Sequence, residues 1–147
     1  MGIFGLHRFP SAQDHGQPSA CERAMAELNA GGKTSHWIWF VLPQLAGLGQ
    51  SAMARSYSIA GLAEAQAYLA DPVLRMRLEA VISVIVEQLQ RPGQSLPALM
   101  GSDLDAAKTI SSLTLFEAAG LPQATALVDQ LGQRCPRTRH MLGLPVR

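Results

Sequence analysis

The stretch Asp71-Pro72-Val73-Leu74-Arg75-Met76-Arg77-Leu78-Glu79-Ala80-Val81-Ile82-Ser83-Val84-Ile85-Val86-Glu87-Gln88-Leu89-Gln90 admits two readings, and the choice between them sets the fold class. Residues 81–86 are rich in β-branched side chains, which suits a strand. The helical pattern, however, begins well upstream. Leu74, Leu78, Val81, Ile82, Ile85 and Leu89 recur at helical spacing, with Met76, Ala80, Val84 and Val86 on the other side. Asp71 followed by Pro72 is a start signal, an acidic N-cap ahead of proline at the first helical position. Pro92-Gly93 supplies the stop. The spacing therefore predicts one long helix, apolar nearly all round, which belongs in the middle of a bundle.

Working outward, Ser102 caps a second long helix that runs to about Ala119 and stops at Gly120. Pro122 opens another to about Leu131, ended by Gly132, and a last turn falls near residues 138–142. Upstream, residues 62–70 and 51–57 read as helices, and Ser35 as the N-cap of a short helix over residues 36–42 that Pro43 ends. Pro18 can occupy the first turn of a helix reaching Ala30 before Gly31-Gly32, with Cys21, Ala24, Met25 and Leu28 facing inward. Residues 1–16 read as an irregular N-terminal arm packed on the domain, and residues 17–147 as a single helical domain. No hairpin signal separates alternating apolar runs. The predicted class is all-α: a compact multihelical single domain with two long buried central helices and several short ones.

Composition agrees. A chain of 147 residues buries about 70% of its unfolded surface, enough for one core without staples. Hydrophobic residues make up 48% and charged residues 16%, the balance of a globular chain rather than a disordered one. The net charge of +1 gives no electrostatic case for nucleic acid or a membrane surface. Arg134, Arg137, Arg139 and Arg147, with Pro136 and His140 among them, read as a solvated C-terminal face. Cys21 and Cys135 lie far apart without metal-ligand spacing, so they read as buried or incidental thiols, with neither a metal site nor a cofactor implied. The opening MGIFGLHRFP lacks a charged segment followed by a long apolar run, and Leu6 stands where lipidation of Gly2 needs a hydroxyl. With no apolar run of membrane length, the expected location is the cytoplasm.

Chemistry concentrates in two segments. The first, Lys33-Thr34-Ser35-His36-Trp37-Ile38-Trp39-Phe40-Val41-Leu42-Pro43-Gln44, holds both tryptophans of the chain. On a helix His36, Trp39 and Phe40 share one side, and Trp37 and Val41 another. Buried indoles make good packing anchors, while histidine, here His36, is a side-chain type suited to proton transfer near neutrality. Lys33 just outside the cap adds an anion-friendly corner. In the second segment, Asp105, Lys108 and Ser112 form a polar stripe, and Thr109, Ser111, Ser112 and Thr114 put four hydroxyls on one helix. Buried hydroxyls need partners or a polar pocket. Phosphate-loop, dinucleotide, zinc-protease and serine-elbow signatures are all absent. Ser112, His36 and an aspartate can be drawn as a triad, but only geometry identifies one.

Together these residues resemble a bacterial family catalogued as domain of unknown function 1810. The run Ser35-His36-Trp37-Ile38-Trp39-Phe40-Val41-Leu42-Pro43-Gln44-Leu45-Ala46-Gly47-Leu48-Gly49 looks like its hallmark. Upstream, Arg8-Phe9 with Ala12-Gln13 is similar; downstream, Tyr57, Ala67-Tyr68-Leu69 with Pro72-Val73-Leu74, and Asp105-x-x-Lys108 leading into residues 111–116. The match spans residues 8 to about 143. It implies a small multihelical cytoplasmic protein with buried central helices, and no activity. Members labelled calpastatin carry a name that suits a disordered inhibitor, unlike this composition. Asp71 stands where the family pattern has a histidine before the proline. The polar residues that match are Lys33, His36, Gln44, Lys108, Ser111, Ser112 and Thr114.

The expectation is a small anionic or aromatic ligand in a pocket near His36 and Lys108. His36 is the candidate acid or base; Lys33, Gln44, Lys108, Ser111, Ser112 and Thr114 are polar contacts, and Trp37 or Trp39 a stacking wall. The alternative is a protein-interaction module without catalysis, docking through Gly47-Leu48-Gly49 and the helix before it. A third reading gives the motifs a folding role alone.

Overall fold

The computed structural model describes residues 4–145, so Gly2 and Arg147 lie outside the described residues. The described residues form ten helices: α1 (Arg8–Gln13), α2 (Ala20–Asn29), α3 (Ile38–Val41), α4 (Ala52–Ser56), α5 (Leu62–Ala70), α6 (Pro72–Leu89), α7 (Leu96–Met100), α8 (Asp103–Ala118), α9 (Pro122–Leu131) and α10 (Pro136–Met141). The described residues form no strand; a single parallel bridge joins Leu45 to Ile59. The class is all-α, and none of the helices is long and apolar enough to cross a membrane.

The long helices start where their caps place them. The Asp71 carboxylate accepts from the amides of Val73 and Leu74, at 3.0 and 3.1 Å, and opens α6. Ser102 Oγ accepts from the Asp105 amide at 3.0 Å and opens α8. α8 is the hub, packing against α9, α7, α5, α10 and α3. Residues 109–116 of α8 are buried without interruption, so its four hydroxyls sit in the interior. Three donate to the carbonyl one turn back: Thr109 to Asp105 at 2.9 Å, Ser111 to Ala107 at 3.1 Å and Thr114 to Ile110 at 2.7 Å. This back-bonding is how a hydroxyl-rich helix satisfies its side chains away from water. α6 buries one face, Leu74, Leu78, Val81, Ile82, Val84, Ile85 and Gln88, and keeps a wet flank where Met76 is 60% exposed.

Four expectations need correction. Residues 4–16 are not an irregular arm throughout: α1 is helical, with Phe9 and Gln13 buried. Gln13 donates to the Phe40 carbonyl at 2.7 Å and accepts from Arg77 at 3.0 Å, and Arg8 pairs with buried Glu64 at 2.7 Å. These long-range partners hold the short helix in place. α2 starts at Ser19, not in a turn led by Pro18, because Ser19 and Glu22 form a reciprocal capping box. Ser35 caps nothing. Its hydroxyl donates to Glu27, and α3 begins two residues later than expected, with Trp37 at the cap position. The C-terminal arginines are not simply solvated: Arg134 grips Glu117 at 2.8 and 2.7 Å and also reaches Asp129.

Candidate functional site

Glu27, on the last turn of α2, organises the loop that carries the first motif. Its carboxylate accepts from the Thr34 amide at 2.8 Å, the Ser35 amide at 2.9 Å, the Ser35 hydroxyl, and the Trp37 indole at 2.9 Å. Partial burial works against the charge, but the Ser35 hydroxyl, the two amides and the indole outweigh it and hold the carboxyl down to about 2. Trp37 is thereby sealed in the core with its N–H satisfied. It is not exposed as a stacking wall.

Lys33 crosses from the same loop to α8. Its side chain is 6% exposed, its Nζ lies 2.8 Å from Asp105 Oδ2, and it stands 5.2 Å from the Trp37 ring centre. Asp105 is thus bound principally to Lys33. Lys108, one turn on, is left with the other carboxylate oxygen at 3.8 Å and is 23% exposed. Its Nζ stands 5.7 Å from the centre of the Trp39 ring.

Lys108 borders two connected spaces. One is a narrow hollow of about 10 Å³ walled by Ile38, Trp39, Leu42, Gln44 and Tyr57, about the room one water needs. The second is a groove of about 410 Å³ whose polar walls are Gln44, Gln50, Ser51, Lys108, Ser111, Cys135 and Arg137. The described residues lining the groove include no carboxylate and no aromatic ring. The loop over residues 44–51 forms one bank. It is fixed by the Ala46 amide on the Ile59 carbonyl and the Ile59 amide on the Gln44 carbonyl, both at 2.8 Å. Gly49 is required there, since a Cβ would fall 2.5 Å from Ala54 Cβ. Leu48 packs inward against the core rather than standing out for a partner.

The opposite bank is the α9–α10 corner. Thr114 Oγ1 accepts the Cys135 amide at 2.9 Å, which ties that corner to α8. Arg137 follows, its guanidinium making one long bond of 3.5 Å to the Gly47 carbonyl.

The structure therefore brings together Trp39, Gln44, Lys108 and Ser111 of the expected set. Lys33, Trp37 and Thr114 are engaged within the fold. Ser112 is fully buried and its hydroxyl has no partner; the Trp39 N–H is also buried without one. His36 is exposed and its ring centre lies 6.3 Å from that of Trp39, but it opens onto a separate, wider basin with His7, His15 and Arg23. His36 and Lys108 approach the same indole without lining one pocket, and no Ser112–His36 pairing exists. Glu27, Cys135 and Arg137 went unread as contributors. Cys135-Pro136 had the form of a cap followed by proline at the first helical position, the same signal that gave α6 away.

Fold and groove define a small all-helical protein with a cationic groove beside its hub helix. The sequence model for "Protein of unknown function (DUF1810)" matches residues 3–142, so the chain belongs to that family. It is also similar to the crystal structure of the conserved hypothetical protein Rv1873 from Mycobacterium tuberculosis, with 37% identity over 98% of this chain and 100% of that one and a TM-score of 0.85. No curated protein matches.

Proposed function

We propose that the chain binds a small anion in the groove between the 44–51 loop, α8 and the α9–α10 corner. One observation carries this reading. Lys108 and Arg137 both face the groove with donors to spare, and no acidic side chain among its lining residues competes for them. Cations normally meet carboxylates at a protein surface, and this chain supplies nearly equal numbers of each. Lys33 takes the nearer oxygen of Asp105 at 2.8 Å, which leaves Lys108 only a 3.8 Å contact with the other and donors for a solute. Gln44 would supply neutral hydrogen bonds, and the narrow hollow under Trp39 would admit a terminal group no larger than a water. The groove is the right size for a metabolite rather than a polymer. The groove's own lining carries no ring, and rings enter only at the narrow hollow through Trp39 and Tyr57, so the reading is of an anion.

The test is a thermal-shift screen against a panel of carboxylate and phosphate metabolites. A ligand at about 100 times its Kd adds about 2.7 kcal/mol of stability. The expected result is a shift in the wild type that Lys108→Gln with Arg137→Gln abolishes. A shift that survives both substitutions, or none across the panel, overturns the reading.

A further inference from the structure

Cys135 stands, half-buried, in the wall of the groove that Lys108 and Arg137 also line. Its sulfur accepts the Thr138 amide at 3.5 Å. Thr138 is fully buried, and its hydroxyl has no nitrogen or oxygen partner although it lies against the sulfur. A sealed hydroxyl without an acceptor is costly. An ionised sulfur would give it one. The other neighbouring hydroxyl, on Ser111, already donates to the Ala107 carbonyl at 3.1 Å. Burial opposes ionisation of the thiol, but the neighbouring Ser111 and Thr138 hydroxyls and the Thr138 and Arg137 amides, as donors available to an ionised sulfur, outweigh it and bring the group below its ordinary value. Cys21 is the contrast: burial pushes its thiol up, and it does not line the groove.

We propose that Cys135 is a nucleophilic thiol serving the groove, and that its reaction partner is a small anionic disulfide. The charge of the partner rests on the anion reading above; the nucleophile rests on the unpaired Thr138 hydroxyl and the amide at the sulfur. In the reaction the Cys135 thiolate attacks one sulfur of the bound disulfide. A new S–S bond forms as the old one breaks, and the departing thiolate carries away the electron pair and takes a proton from water. The Cys135 sulfur rises by one oxidation unit and the departing sulfur falls by one, so the exchange needs no outside oxidant. With Cys21 outside the groove, no second thiol of this chain lines the site to resolve the adduct, and the mixed disulfide is the product.

The full chain is treated at pH 7 with iodoacetamide, which is neutral, and in parallel with iodoacetate, which is anionic. Labelling at each cysteine is followed by peptide mass spectrometry. Cys135 should react with iodoacetamide at least about tenfold faster than Cys21, and Thr138→Val should slow it at least about threefold while the circular-dichroism melt stays cooperative. The ratio of iodoacetate to iodoacetamide rates cancels the thiolate fraction, so it reads the groove's charge alone. It should fall at least about threefold in Lys108→Gln with Arg137→Gln. Oxidised glutathione should form an adduct on Cys135 and not on Cys21. If Cys135 alkylates no faster than Cys21, the nucleophile is refuted whatever the ratio. Fast alkylation with an unchanged ratio instead removes the anion reading, and the anionic partner with it. Fast alkylation without a glutathione adduct overturns the exchange step.

Discussion

Glu27 shows how one side chain can set a motif's geometry without belonging to it. Four donors converge on its carboxylate, and two of them, the Ser35 amide and the Trp37 indole, fix the residues around His36. Its carboxyl titrates at about 2 when folded, against an ordinary value of 4.5. The sign follows directly. Above pH 4.5 the group is ionised in folded and unfolded chains alike, and its pairing contributes in full. As the pH falls from 4.5 toward 2 the unfolded chain takes up a proton that the folded chain does not, and the contribution is lost. Glu27→Gln should cost about 1–3 kcal/mol at neutral pH. Its Tm deficit relative to the wild type should shrink steadily through that acid window. A deficit that stays constant down to pH 2 would mean the charge does no such work.

Among the elements, α8 and α1 mark the two ends of what sequence can show. α8 was legible because its signals are local: a serine cap, a glycine stop and a polar stripe at helical spacing. What spacing could not show is that Thr109, Ser111 and Thr114 satisfy themselves on their own helix, which removes them from a list of free ligand groups. Thr114 goes further and holds the Cys135 amide. Thr114→Val keeps the shape and leaves that amide without its acceptor, so it should destabilise by about 1–3 kcal/mol. Hydrogen exchange should speed up at Cys135 before it does elsewhere on the α9–α10 corner; unchanged protection there would refute the tie. α1 was not legible, because a six-residue helix containing Pro10 carries little intrinsic preference. Phe9, Gln13 and Arg8 hold it through partners between 27 and 64 residues away.

At the scale of the whole molecule, the core was easier to read than the cleft. The long helices are written in contiguous residues, whereas the groove is assembled from three stretches, residues 44–54, 104–111 and 135–137. Only the first two carry dense motifs. The third looked like solvated arginines and an incidental thiol, since its meaning depends on which groups the fold sets beside it. The same logic predicts that the N-terminal segment unfolds with the rest. Phe9 is fully buried, its ring 5.1 Å from that of Tyr68, which is itself 5.0 Å from that of Phe116 on α8. Phe9→Ala should cost about 3–5 kcal/mol and lower the urea midpoint with the slope unchanged. A separate early transition would show α1 to be an independent unit.

The two tryptophans of this chain sit a single residue apart and report on different things. Trp37 is walled off from solvent and bound to an acidic group, whereas Trp39 borders the space beneath Lys108. Emission from the first follows folding, and emission from the second should respond to a solute that reaches the hollow beside the proposed binding groove. Intrinsic fluorescence, separated by a dissolved quencher, thus gives a label-free titration of occupancy from a chain that needs no added dye.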